Sequence, residues 1–139
     1  MKRIPTLALF TLAALTALPG AMAQGVALKA DIPFAFTVGD TPLPAGGYTI
    51  SAPVAGLIRI ANNKTRDAAT VSTSHGYYDA GPNSKLLFNR YGNRYFLHRV
   101  FCPTTSAMNV EIPLWSREKK ARTMEAKLNQ NEQILVAAK

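Results

Sequence analysis

Apolar residues along this chain recur at alternate positions more often than at helical spacing. Ile32, Phe34, Phe36 and Val38 fall on every second position, which in a strand places all four on one face. Pro33 points the other way and has no N–H, so this strand belongs at an edge or at a bulge. Gly39-Asp40 turns the chain, Thr41–Gly47 is too rich in Pro and Gly to be helical, and Tyr48 and Ile50 begin a second strand. The β-branched run Leu57-Ile58-Arg59-Ile60 ends at Asn62-Asn63, residues that tolerate positive φ, which predicts a tight hairpin into Asp67–Thr73. A soft loop follows over 74–84.

The clearest hairpin is Lys85–Tyr91, Gly92-Asn93, Arg94–Phe101, its glycine suiting a type II′ or I′ turn. A two-residue loop sets Tyr91 opposite Arg94. Leu86, Phe88, Arg90, Tyr95, Leu97 and Arg99 then share a core-directed face, while Lys85, Leu87, Asn89, Tyr91, Arg94, Phe96, His98 and Val100 share the other. Another short strand is expected near Ala107–Ile112. Turn signals at this spacing predict an all-β fold, a small antiparallel β-sandwich or barrel of about six to eight short strands.

At Ser116 the period changes. Ser116–Leu128 has no Gly or Pro, Ser116 can cap a helix, and Ala121, Met124 and Leu128 form a narrow apolar stripe amid Lys and Arg. The expected organisation is a β-domain over 24–115 and a basic helical tail over 116–139, in which Ile134-Leu135-Val136 is either a last strand or a docked tail.

The first 23 residues follow a different logic. Lys2 and Arg3 precede an apolar run from Ile4 to Leu18, then Pro19-Gly20, with Ala21 and Ala23 at −3 and −1 of a cut before Gln24. This is the pattern of a secretory signal peptide, shorter than the roughly 20 residues that span a bilayer. It predicts an exported protein, periplasmic or secreted, with no transmembrane segment once the leader is gone. The chain carries a net charge of +8, of which Lys2 and Arg3 leave with the leader. Six Lys/Arg against three Glu lie from Ser116 onward, so much of the remaining basicity belongs to the tail.

Ile32-Pro33-Phe34 with Val38-Gly39, Leu43-Pro44-Ala45-Gly46 with Tyr48, Arg90-Tyr91-Gly92 with Tyr95-Phe96-Leu97, and Arg117-Glu118-Lys119 together resemble a set of small exported bacterial β-proteins of unassigned function. The resemblance covers most of the chain after the leader. It implies the fold and the compartment and assigns no site residue.

Candidate chemistry is sparse. A single cysteine excludes an intramolecular disulfide, and with two histidines no Cys/His zinc site assembles. In an extended strand His98 and Cys102 stand about 13 Å apart, too far for a nucleophile and its base. Cys102 reads as a small buried apolar residue, or as a thiol that cross-links two chains. Asp31, Asp40, Asp67, Asp79 and Glu111 are dispersed, so no pair of carboxylates marks a glycosidase. Asn63-Lys64-Thr65 fits a glycosylation acceptor and equally a hairpin turn.

What stands out is a basic-aromatic hairpin: Arg90, Tyr91, Arg94, Tyr95, His98 and Arg99. It reads either as a platform for an anionic or sugar-bearing partner or as cross-strand pairing, with Arg90 over Tyr95. Tyr77 and Tyr78, between His75 and Asp79, are further candidate stacking residues in the soft loop. Nucleic acid is not an expected partner, and neither metal nor cofactor is. The sequence therefore predicts a non-enzymatic exported envelope module that engages an anionic polymer or another envelope protein through the hairpin around Arg90–Arg99 and the tail after Ser116. Two alternatives are a carrier with an apolar cavity lined by Phe34, Phe36 and Phe88, and a small hydrolase combining the 74–84 loop and its His75 with His98.

Overall fold

Strand alternation and proline placement decide the architecture. The computed structural model describes residues 25–76, 79, 81–126 and 131–139, so the leader, Tyr77, Tyr78 and Leu128 lie outside the described residues. Strand β1 (Ala27–Ile32) buries Leu28, Ala30 and Ile32 and turns Ala27, Lys29 and Asp31 outward. The run from Ile32 to Val38 does not form one strand. Pro33 ends β1, and β2 (Phe36–Val38) begins after it, although Ile32, Phe36 and Val38 are all buried as alternation requires. Having no N–H, Pro33 interrupts the ladder at the point where the chain passes from one sheet to the other.

The strands that follow are β3 (Thr41–Leu43), β4 (Gly46–Val54), β5 (Leu57–Asn62), β6 (Ala68–Ser72), β7 (Ser74–His75), β8 (Lys85–Tyr91) and β9 (Arg94–Phe101). A 3₁₀ turn (Ser106–Met108), β10 (Val110–Glu111), helix α1 (Ser116–Ala126) and β11 (Asn131–Ala137) complete the chain. One sheet runs β1-β4-β5-β6 and the other β11-β8-β9-β10-β7, with β3 paired to β2 and β2 lying parallel to β9 at Thr37 and Phe96. The other ladders are antiparallel, and the whole is the small, mostly β fold the turn spacing predicts. Of the two readings of Ile134-Leu135-Val136, last strand or docked tail, the strand is the one formed: these residues lie in β11, on the outer edge of β8.

The two sheets curl around one core that includes Ile32, Phe36, Tyr48, Ile60, Phe88 and Val100, all at most 3% exposed. They meet along one side, where Lys29 and Lys139 exchange backbone hydrogen bonds of 2.7 and 2.8 Å. Within this core the Leu-Pro-Ala-Gly-x-Tyr segment braces its own turn. The buried Tyr48 hydroxyl donates to the Pro44 carbonyl and ties the turn to β4. In the β5–β6 turn, Asn62 Oδ1 accepts from the N–H groups of Lys64 and Thr65, so the Asn-Asn pair does act as hairpin punctuation.

The β8–β9 hairpin begins in the expected register, with Tyr91 opposite Arg94 and Gly92 at φ 64°. The register then shifts. Phe88 pairs with Leu97 but Leu87 pairs with Arg99, leaving His98 as an extra residue on β9. This β-bulge reverses the faces beyond it. Val100 enters the main core, fully buried, and Arg99 moves to the outer face; the strict two-residue alternation assigned them the other way round.

Helix α1 lies on the outer face of β8 and β9. Its seat is Glu118 and Ala121, both buried, with Ala121 against Tyr91 and Phe96. Met124, expected in the apolar stripe, is 48% exposed. The stripe is displaced because the strand surface beneath the helix offers hydrogen-bond donors as well as apolar rings. The helix start is held from outside its own sequence: Asp40, in the β2–β3 turn, accepts from the Arg117 N–H at 3.0 Å.

Candidate functional site

The six residues of the basic-aromatic hairpin do not form one platform. Arg90 donates from Nε to the Gly92 carbonyl at 2.7 Å and pairs through Nη1 with Glu132 of β11 at 3.0 Å. Its guanidinium lies 5.7 Å from the Tyr95 ring centroid, and Tyr95 stacks on Phe34 at 4.0 Å. The cross-strand pairing of Arg90 and Tyr95 is thus present as an internal contact. His98 and Arg99 turn to the same partner, with Glu111 Oε1 3.6 Å from His98 Nε2 and Glu111 Oε2 3.1 Å from Arg99 Nη2. Tyr91 is buried beneath α1. Arg94 is exposed at the hairpin tip, with Nη2 3.9 Å from Met124 Sδ.

The remaining candidates are equally plain. His75 is exposed on β7, and Asp79 accepts from the Gly81 N–H at 2.9 Å. Cys102 is 2% exposed, in the main core, with Sγ 3.1 Å from Thr104 Oγ1. Burial pushes its thiol up, and hydrogen bonds from Thr104, Thr105 and Ser84 more than offset this, leaving it below the ordinary value. Cys102 and His98 belong to different environments, so no dyad forms, and a cross-link between folded chains would have to reach into the core. Among the described residues no three His, Cys, Asp or Glu side chains are grouped to hold a metal ion.

The sequence reading missed the polar seam under α1. Glu118 is 3% exposed. Its Oε1 accepts from Asn89 Nδ2 at 2.9 Å and from the Tyr91 hydroxyl at 3.1 Å, while Gln133 of β11 donates to Asn89 Oδ1 at 3.2 Å. Burial pushes the Glu118 carboxyl up; the two donors and the nearby His98 and Arg122 charges pull it back only in part. Burial also raises Tyr91, helped by the Glu118 charge and the bond to it, up to about 12. Beside this seam a cleft of about 300 Å³ opens between Leu114, Arg122, His98 and Gln133. Its lining holds Arg122 and Glu132, His98 and the amides of Asn89 and Gln133, next to the buried Glu118 carboxylate, an arrangement suited to clamping the helix to the sheet. The legible hint was Asn89 and Gln133, two amide side chains that sit opposite each other in the ladder.

The seam has an electrostatic consequence on its far side. Within α1, Arg117, Lys119, Lys120 and Arg122 are exposed, while the two acids turn toward the sheet. Glu118 is buried, and Glu125 is half-buried, its carboxylate against the hairpin turn. A Cβ on Gly92 would come 3.0 Å from Glu125 Oε1, so Gly92 is required both for its left-handed φ and for this approach. The ion pairs among the described residues take up Arg90, His98 and Arg99 and none of the helix cations. A sequence segment of mixed charge therefore presents a cationic face, flanked by Arg94 and by Trp115, which is 36% exposed just before the helix.

The interior offers no comparable opening at the aromatic cluster. Phe34 and Phe36 pack edge-on against Phe88 at 5.1 and 5.4 Å, so the rings fill the space that a carrier cavity would need at these residues. A groove of about 560 Å³ runs over Gly46 and Gly47 beside Asp31 and Asn63, where Asn63 Oδ1 already accepts from Thr49 Oγ1 at 2.6 Å. Comparison with protein-family models, curated proteins and solved structures gives no match in any of the three.

Proposed function

We propose that this chain is a non-enzymatic module of a bacterial cell envelope, exported by its leader, that binds an anionic envelope component through the outer face of α1 and the adjoining Arg94. The observation that carries this reading is the inward turn of Glu118 and Glu125, which leaves four cations exposed on eleven helical residues. A face of one sign, held rigidly, attracts anions without first having to order itself. The leader pattern supports export, and the engaged state of Arg90, His98 and Arg99 narrows the surface expected on hairpin and tail to the helix and the hairpin tip.

Retention on immobilised polyphosphate tests it. Lys119→Glu with Lys120→Glu is expected to release the protein at much lower salt than the parent, because less attraction remains for salt to screen, the screening length being roughly 10 Å at 0.1 M. Lys64→Glu with Arg66→Glu makes the same change of net charge on the β5–β6 turn and is expected to have a far smaller effect. Equal loss from the two double variants would mean that only net charge is sensed, and the reading would fall.

A further inference from the structure

Resting on the anion-binding reading above, we infer that the partner of the α1 face is the surface of an anionic phospholipid bilayer, with Trp115 seated at headgroup level. Three observations point there. The first is the set of exposed cations Arg117, Lys119 and Lys120, with Arg94 beside Met124, which complements a layer of phosphate headgroups, while Arg122 borders the cleft beside Glu118.

The second is the exposed apolar material placed at the two ends of that cationic face. Trp115 precedes the helix and is 36% exposed; Met124 lies near its other end and is 48% exposed. A soluble polyanion gives these side chains no burial. An interface does, and tryptophan in particular settles where an apolar ring and a polar N–H are both accommodated. The third is rigidity. The Asp40 bond to the Arg117 N–H, the Glu118 seam and the Ala121 seat fix the helix before any partner arrives. Trp115 itself rests against Gly39, where an added Cβ would meet its ring at 3.2 Å.

The apolar area is small, so the docking is shallow and electrostatic in the main. It lies in the plane of the headgroups, and no helix among the described residues is long and apolar enough to cross.

Trp115 is the one tryptophan in the chain, which makes its fluorescence a specific reporter. The chain from Gln24 onward would be mixed with vesicles of phosphatidylcholine alone, with vesicles containing phosphatidylglycerol, and with soluble polyphosphate. Co-sedimentation with the phosphatidylglycerol vesicles is expected, together with a blue shift of Trp115 emission and loss of both in high salt. Lys119→Ala with Lys120→Ala should weaken this binding roughly thirtyfold. Trp115→Phe should weaken it by a smaller factor and leave polyphosphate binding unchanged. Binding to polyphosphate without binding to anionic vesicles would overturn the bilayer inference and leave the anion-binding reading standing. Binding to none of the three would remove both. Equal binding to neutral vesicles, or vesicle binding with no shift of Trp115 emission, would also overturn the inference.

Discussion

At the scale of single residues, Glu118 does the most. Its carboxyl is raised above the ordinary 4.5, chiefly by burial, so the folded chain keeps a proton that the unfolded chain releases. The corresponding stability is fully present below the ordinary value and is lost as pH rises through the raised one. Urea midpoints measured from about pH 4 to about pH 8 should therefore fall, and Glu118→Gln should flatten part of that slope. Glu118→Ala should be the harsher change at every pH. It strips the acceptor from Asn89 and from the Tyr91 hydroxyl, at about 2 kcal/mol for two buried donors with partial access to water. If the alanine variant matched the parent, the seam would not be holding the helix.

At the scale of elements, the bulge in β9 governs which side chains face which layer. Deleting His98 would bring Leu97 next to Arg99 and restore strict alternation without moving Val100 out of the core. The deletion is expected to fold, losing about 1–2 kcal/mol for the bond from the Ile112 N–H to the His98 carbonyl and for the ion pair with Glu111. Deleting Phe96 instead would shift the inward and outward sets between the turn and the bulge, and should prevent folding; circular dichroism and urea titration would separate the two. This element also marks the limit of what sequence patterning carries. The hairpin, its Gly92-Asn93 turn and the Tyr91–Arg94 register were legible because a turn and a two-residue period are local signals. The bulge was not, because one extra residue leaves no mark in composition, and Arg99 and Val100 were consequently assigned to the wrong faces. Likewise Arg90 over Tyr95 followed from cross-strand register, whereas its Glu132 partner comes from a strand 42 residues away. The helix was found by its period and its stripe was misplaced, since apolar counting cannot anticipate a glutamate that docks on Asn89 and Tyr91.

At the scale of the whole molecule, the backbone bonds between Lys29 and Lys139 join the edge strand β1 of one sheet to the residues that follow β11 of the other. Such a late, distant contact should be absent from the folding transition state. Removing Ala138 and Lys139 deletes the bonds to Lys29 and to the Ser84 carbonyl, and is expected to raise the unfolding rate by about tenfold while leaving the folding limb of a stopped-flow chevron unmoved. A slowed folding limb would place the contact in the nucleus instead. The contact between Lys29 and Lys139 also bears on the chain while it is being made. As long as residues 131–139 are still inside the ribosome, β8 lacks its outer neighbour and Lys29 lacks Lys139, and the sheets are joined only by the crossover at Pro33, the β2–β9 pairing and their shared core. The side along which the sheets meet is closed only after β11 has paired with β8.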